Sequence, residues 1–172
     1  GVLALVFLQD VGLHGAAHRA QRPRADLLGL VVGRLAGVVG AELLQLLVDR
    51  GYQEVVNFAF VEEEWEADFA ANATPIRLAN PIASQMAVMR STLFGGLISN
   101  LLTNLKRKQS RVRLFETGRT FHRDAQGAPV EGFRQSWQLA GLAYGGALPE
   151  GWGSGARKID FYDIKGDLDA LL

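Results

Sequence analysis

The chain contains no cysteine. That absence excludes a disulfide framework, a thiolate metal site and a cysteine nucleophile, and permits a reducing compartment without demanding one. Net charge is missing as well. Eighteen Lys and Arg balance 18 Asp and Glu, which argues against a broad electrostatic grip on nucleic acid and leaves room only for a local basic patch. Histidine occurs only at His14, His18 and His122, too scattered for a metal cluster or a Ser-His-Asp order. The glycine-rich GALPEGWGSG lacks the lysine of a phosphate-binding loop. What is present is apolar mass: 48% of 172 residues, enough for one substantial core. The chain opens at Gly1 and closes on Leu171-Leu172, so a fragment of a longer protein is expected.

Residues 1–40 differ in composition from the rest. Gly, Ala, Leu, Val and Arg dominate, Phe7 is the only aromatic, and Asp10 and Asp26 are the only acids. GVLALVFL lacks the basic leader and cleavage site of a secretion signal. The apolar run over residues 27–48 approaches membrane-spanning length, yet Arg34 at mid-span costs about 2.5–3.5 kcal/mol. The expectation is a buried or interface helix starting near Asp26 and weakened by Gly29, Gly33, Gly37 and Gly40.

Further on, Leu43, Leu44, Leu47 and Val48 form a helical stripe that Gly51 terminates. YQEVVNFAFV, residues 52–61, is apolar on both faces and predicts a strand in the middle of a sheet. Residues 62–71 predict a short helix, acidic at its start, with Trp65 and Phe69 on one face. IRL predicts a short strand. Ser91 or Thr92 is placed to cap a core-facing helix in which Leu93, Leu97, Leu101 and Leu105 recur every four residues. RVRLFETGRTF and FRQSWQLAGLAYG read as an antiparallel pair joined by a polar loop around Gly127 and Pro129. DFYDIKGDLDALL predicts a last helix with Ile164, Leu168, Leu171 and Leu172 on one side. The fold class expected is α+β, a mostly antiparallel sheet flanked by helices.

Lys106, Arg107 and Lys108, with Arg111 and Arg113 beyond them, make a candidate RNA-phosphate patch. Cations beside the negative end of a helix dipole gain roughly 0.3–1 kcal/mol, which accounts for the same residues without any RNA.

The segments GYQEVVNFAFV, NPIASQMAVMRSTLFGGL, RVRLFETGRTF and DFYDIKGDLDALL, dissimilar and in this order, closely resemble the β chain of bacterial phenylalanyl-tRNA synthetase. The resemblance lies in its class II catalytic-like module and covers most of residues 42–172. It divides the chain into a lead-in, 1–40, and a truncated module, 41–172. Relatives carry a different lead-in, and the Gly/Ala/Arg/Leu/Val bias here is what out-of-frame translation of a GC-rich gene produces. The resemblance implies a class II synthetase-like fold. Its helix-strand unit implies subunit contacts near Leu43, Leu47, Gly51 and Tyr52.

Active class II enzymes carry Phe-Arg-x-Glu/Asp, whose arginine clamps the ATP α-phosphate. This chain reads Phe121-His122-Arg123-Asp124, and a neutral imidazole supplies no permanent charge. Arg123, one residue on, points to the opposite face of a strand. On the partner strand Ala140 stands where the catalytic chain has a carboxylate. The resemblance therefore implies a non-catalytic, cytoplasmic scaffold with no cofactor or metal of its own. ATP and magnesium serve the complete enzyme, a heterotetramer of two α and two β chains acting on tRNA(Phe). Two rival functions remain: an adenylate-forming enzyme using Arg119 or Arg123, and an RNA-binding module using residues 106–113.

Overall fold

The Leu43-to-Val48 stripe forms helix α1, Ala41–Asp49, in the computed structural model, which describes residues 27–32, 40–153 and 157–171. Gly51 ends it with φ of +82°, a left-handed conformation that glycine adopts without a Cβ penalty. Two long strands follow later in the chain, β6, Val112–Arg123, and β8, Phe133–Tyr144. They pair antiparallel along their whole length, Leu114 opposite Leu142 and Arg123 opposite Phe133. The small strand β7, Pro129–Val130, returns against β8.

The main sheet runs β1-β8-β6-β2, with β1 being Leu27–Val32 and β2 Gln53–Glu54. A second sheet has the order β3-β5-β4, from Phe60–Val61, Val88–Met89 and Ile76–Arg77. Its pairings are antiparallel, as are those of β1, β7 and β6 with β8; β2 and β6 are parallel. Helix α2, Glu63–Ala70, helix α3, Phe94–Lys106, and helix α4, Phe161–Asp169, complete a mixed α+β fold.

Period-two alternation along β6 builds two cores from one strand. On one face Phe115 joins Leu139 and Ala143 of β8, Leu47 of α1, Tyr52, and Ile164 and Leu168 of α4. On the other, Val112 and Leu114 join Ala140 and Leu142, closed over by Leu93, Leu97, Ile98 and Leu101. Each fully buried Leu contributes about 1.5–3 kcal/mol. Asp160 holds the start of α4 in a capping box, accepting from the amides of Tyr162 and Asp163 while the Asp163 side chain accepts from the amide of Asp160.

Three expectations change. Residues 27–32 are a strand and not the start of a helix, because glycine at 29 disfavours a helix and the edge of β8 offers a full ladder from Leu139 to Tyr144. Residues 52–61 are not one central strand. Only Gln53 and Glu54 pair with β6, at the sheet edge; the chain then leaves, and Phe60–Val61 enter the second sheet. Neither Ser91 nor Thr92 is the N-cap of α3, which is Leu93. The Ser91 hydroxyl is instead spent on Glu66, while the Thr92 hydroxyl oxygen accepts from the Phe94 amide at 3.3 Å. The readings of residues 1–26 and 33–39 lie outside the described residues.

Candidate functional site

The strand pair β6-β8 carries the motif positions that the resemblance singles out. His122 lies opposite Arg134, and Arg123 opposite Phe133, so the two side chains project to opposite faces. Asp124, just past β6, forms an ion pair with Arg134 at 3.5 Å. Phe121 and His122 are half-buried. Ala140 lies directly opposite Glu116 and is 1% exposed, sealed in the core beneath α3. The position that calls for a substrate-facing carboxylate is interior.

Glu116 is itself fully committed. It accepts from Arg90 at 2.6 Å and from the Asn57 side-chain amide at 2.8 Å. Asn57 in turn accepts from Asn100 of α3 at 2.7 Å. Arg90 also donates its Nε to the Arg119 carbonyl, and its own carbonyl accepts from the Phe121 amide. A Cβ on Gly118 would stand 2.1 Å from the Arg90 guanidinium, so the bare glycine makes room for that arginine. Nearby, the buried Glu66 of α2 accepts from the Ser91 amide and hydroxyl and from Asn72, locking the segment before α3. This half of the molecule is a tied polar network under an apolar lid. Within it the Arg90 guanidinium and the Glu116 carboxylate are spent on each other and on neighbouring groups of the chain.

A second network lies on the opposite face. Asp167 of α4 accepts from Arg50 at 2.7 Å, from the Tyr52 hydroxyl at 2.7 Å and from Arg113 at 3.1 Å. Arg113 also stacks its guanidinium over the Tyr52 ring. Burial first, then the neighbouring Asp167 carboxylate, pushes the Tyr52 phenol well above the ordinary tyrosine range. At the start of α4, hydrogen bonds from Arg157 hold Asp163 below the usual carboxylate range.

These facts place the sequence-derived candidates. Leu47 and Tyr52 face the chain's own core, at 1% and 2% exposure, and are closed to a partner. Leu43 is half-buried, Gly51 is exposed, and Val48 of the same helix points outward. Lys106, Arg107 and Lys108 are exposed at the end of α3 and Arg111 is half-buried. Arg113 leaves this group, because its charge is spent internally on Asp167. Sequence reasoning missed Arg90, Glu116, Asn57 and Asp167. The available signal was a charge inside an apolar run, as in RLFETG and VMRST.

The segment after β2 departs from the central strand expected over residues 52–61. Val56 is 89% exposed and Phe58 68% exposed, beside a cleft of about 200 Å³ lined by Phe58, Trp65, Gly95, Gly96 and Ser99. The apolar residues of the 52–61 run therefore lie partly on the surface.

The chain is similar in sequence to known proteins. The family described as Phenylalanyl tRNA synthetase beta chain CLM domain matches residues 38–172. The Phenylalanine–tRNA ligase beta subunit of Dechloromonas aromatica (strain RCB) is 80% identical over 133 residues, which cover 76% of this chain and 17% of that protein. That of Aromatoleum aromaticum is 62% identical over 130 residues, covering 76% of this chain and 16% of that protein. The chain thus spans about one sixth of the length of these relatives. Among solved structures, a pyrrolysyl tRNA synthetase from Desulfitobacterium hafniense aligns over 57% of this chain and 35% of its own, at 20% identity and a TM-score of 0.37.

Proposed function

Since the chain belongs to the family of the phenylalanyl-tRNA synthetase β chain CLM domain, we propose that it is a non-catalytic, class II-like module that scaffolds assembly with the catalytic α chain. The scaffold reading rests on one observation, the exposure of the apolar side chains Val56 and Phe58 in the segment that follows the short β2. Exposed large apolar side chains that lie close together mark a surface that another protein covers. Val48 on α1 is exposed as well, as is Gly51, and Leu43 is half-buried. The non-catalytic reading is supported by the burial of Ala140 and by the capture of Glu116 and Arg90 in one another's hydrogen bonds.

In the complete assembly, two α and two β chains join phenylalanine to tRNA(Phe) with ATP and magnesium in the cytoplasm, and the chemistry resides in the α chain. This chain contributes a rigid platform. Among the described residues no helix is long and apolar enough to cross a membrane. RNA binding through Lys106 to Arg113 is not favoured, because Arg113 is already neutralised inside the fold.

Co-purification with an α chain from the same source, read by size-exclusion chromatography with light scattering, tests the proposal. A stable complex lost on Phe58→Asp or Val48→Asp is expected. A folded chain that makes no complex would overturn it.

A further inference from the structure

Three guanidinium groups, Arg50, Arg111 and Arg113, line a groove of about 570 Å³ between the end of α1, the start of β6 and α4. Its three carboxylates are already occupied. Asp167 binds Arg50 and Arg113, Asp163 is gripped by Arg157, and Asp49 accepts from Gln45. Arg111 is the cation left over. It makes no hydrogen bond or ion pair among the described residues, and its Nε is shielded from solvent without a partner. Its guanidinium lies over Gly51, whose missing Cβ would stand 3.9 Å from it. Burial, then the like charge of Arg113, weakens its hold on its proton. A half-buried guanidinium in this position gains from one incoming anion.

Two features identify that anion. Leu148, 61% exposed, and Tyr162, 77% exposed, give the groove an apolar wall. With Asp49, Asp163 and Asp167 also in its lining and Arg111 its one unpaired cation among the described residues, the groove suits a single negative group better than a chain of phosphates. The groove begins at Asp49 and Arg50, directly after the exposed Val48 of α1.

We propose that this groove receives one aspartate or glutamate side chain of the partner α chain, clamped by Arg111 with apolar contact from Leu148 and Tyr162. The inference rests on the scaffold reading above. Its test is the affinity of the α chain for this chain carrying Arg111→Ala, Arg111→Lys or Arg111→Glu, measured at two salt concentrations. Because Arg111 bonds to nothing internally, each variant should keep the wild-type circular dichroism and melting temperature.

Arg111→Ala and Arg111→Glu should weaken α-chain binding by about 30-fold or more, mainly through faster dissociation, with partial recovery in Arg111→Lys. If Val48→Asp abolishes binding while Arg111→Ala stays within about twofold of wild type, the groove proposal fails and the scaffold reading stands. If the wild-type chain binds no α chain, both fail together. If Arg111→Ala instead weakens tRNA binding in a steeply salt-dependent way and leaves the α chain unaffected, the occupant is a phosphate and the proposal is overturned.

Discussion

Arg90 and Glu116 meet at 2.6 Å inside the molecule, with side chains 6% and 1% exposed, and join the segment before α3 to the middle of β6. Such a pair adds little net stability over an apolar replacement, yet leaving one member alone is severe. Glu116→Gln or Arg90→Met should each cost about 3–5 kcal/mol by urea denaturation. The double variant Arg90→Met with Glu116→Leu should lose much less than the sum. Additive losses would mean that the two groups act independently.

Gly118 sits against that same guanidinium. Gly118→Ala should destabilise by about 1–3 kcal/mol through overpacking, because Arg90 is held by Glu116 and the Arg119 carbonyl and has no slack to retreat. In an Arg90→Met background the same change should cost less. Equal costs in the two backgrounds would place the clash elsewhere.

At alkaline pH Tyr52 should set a limit on stability. Its native phenol keeps a proton that the unfolded phenol releases, so its contribution is present below the unfolded value of about 10 and falls as pH rises past it. Ultraviolet phenolate absorbance should therefore show Tyr52 ionising only together with unfolding. Tyr52→Phe should remove that component of the titration. A Tyr52 signal that titrates reversibly in the folded chain would contradict the burial of its hydroxyl.

The acid side has its own marker in Asp163. Arg157 depresses its folded pKa, so the stabilisation is present above the unfolded aspartate value of about 4 and is lost as pH falls through the lower folded value. Melting temperature followed over that range should fall less for Asp163→Asn than for the wild type. An identical decline in the two would show that the Arg157 contact contributes nothing to folding.

Restoring one motif residue should not restore chemistry. His122→Arg returns a guanidinium to the motif position, but Ala140 stays sealed under α3 and Glu116 stays bound to Arg90. The expected result is no adenylate formation and no measurable ATP binding by calorimetry. Micromolar ATP affinity in this variant would mean that the face opens in solution.

Local periodicity alone determined much of the architecture. The four-residue leucine repeat from Leu93 to Leu105 made α3, the stripe at Leu43 and Leu47 made α1, and alternation over residues 112–123 and 133–144 made the long antiparallel pair. These signals are strong because each element's buried face is written at its own period. Residues 27–32 and 52–61 were decided only by the tertiary structure. An apolar run does not say whether its partner is a helix, a sheet edge or another chain, and Val56 and Phe58 read as core while lying on the surface. The same holds for the charges. Nothing in the order of residues says that Arg90 reaches Glu116 or that Arg113 is consumed by Asp167 while Arg111 is left over. Those pairings span tens of positions in the chain, and only the packing of α3 and α4 on opposite faces of the sheet brings them within reach.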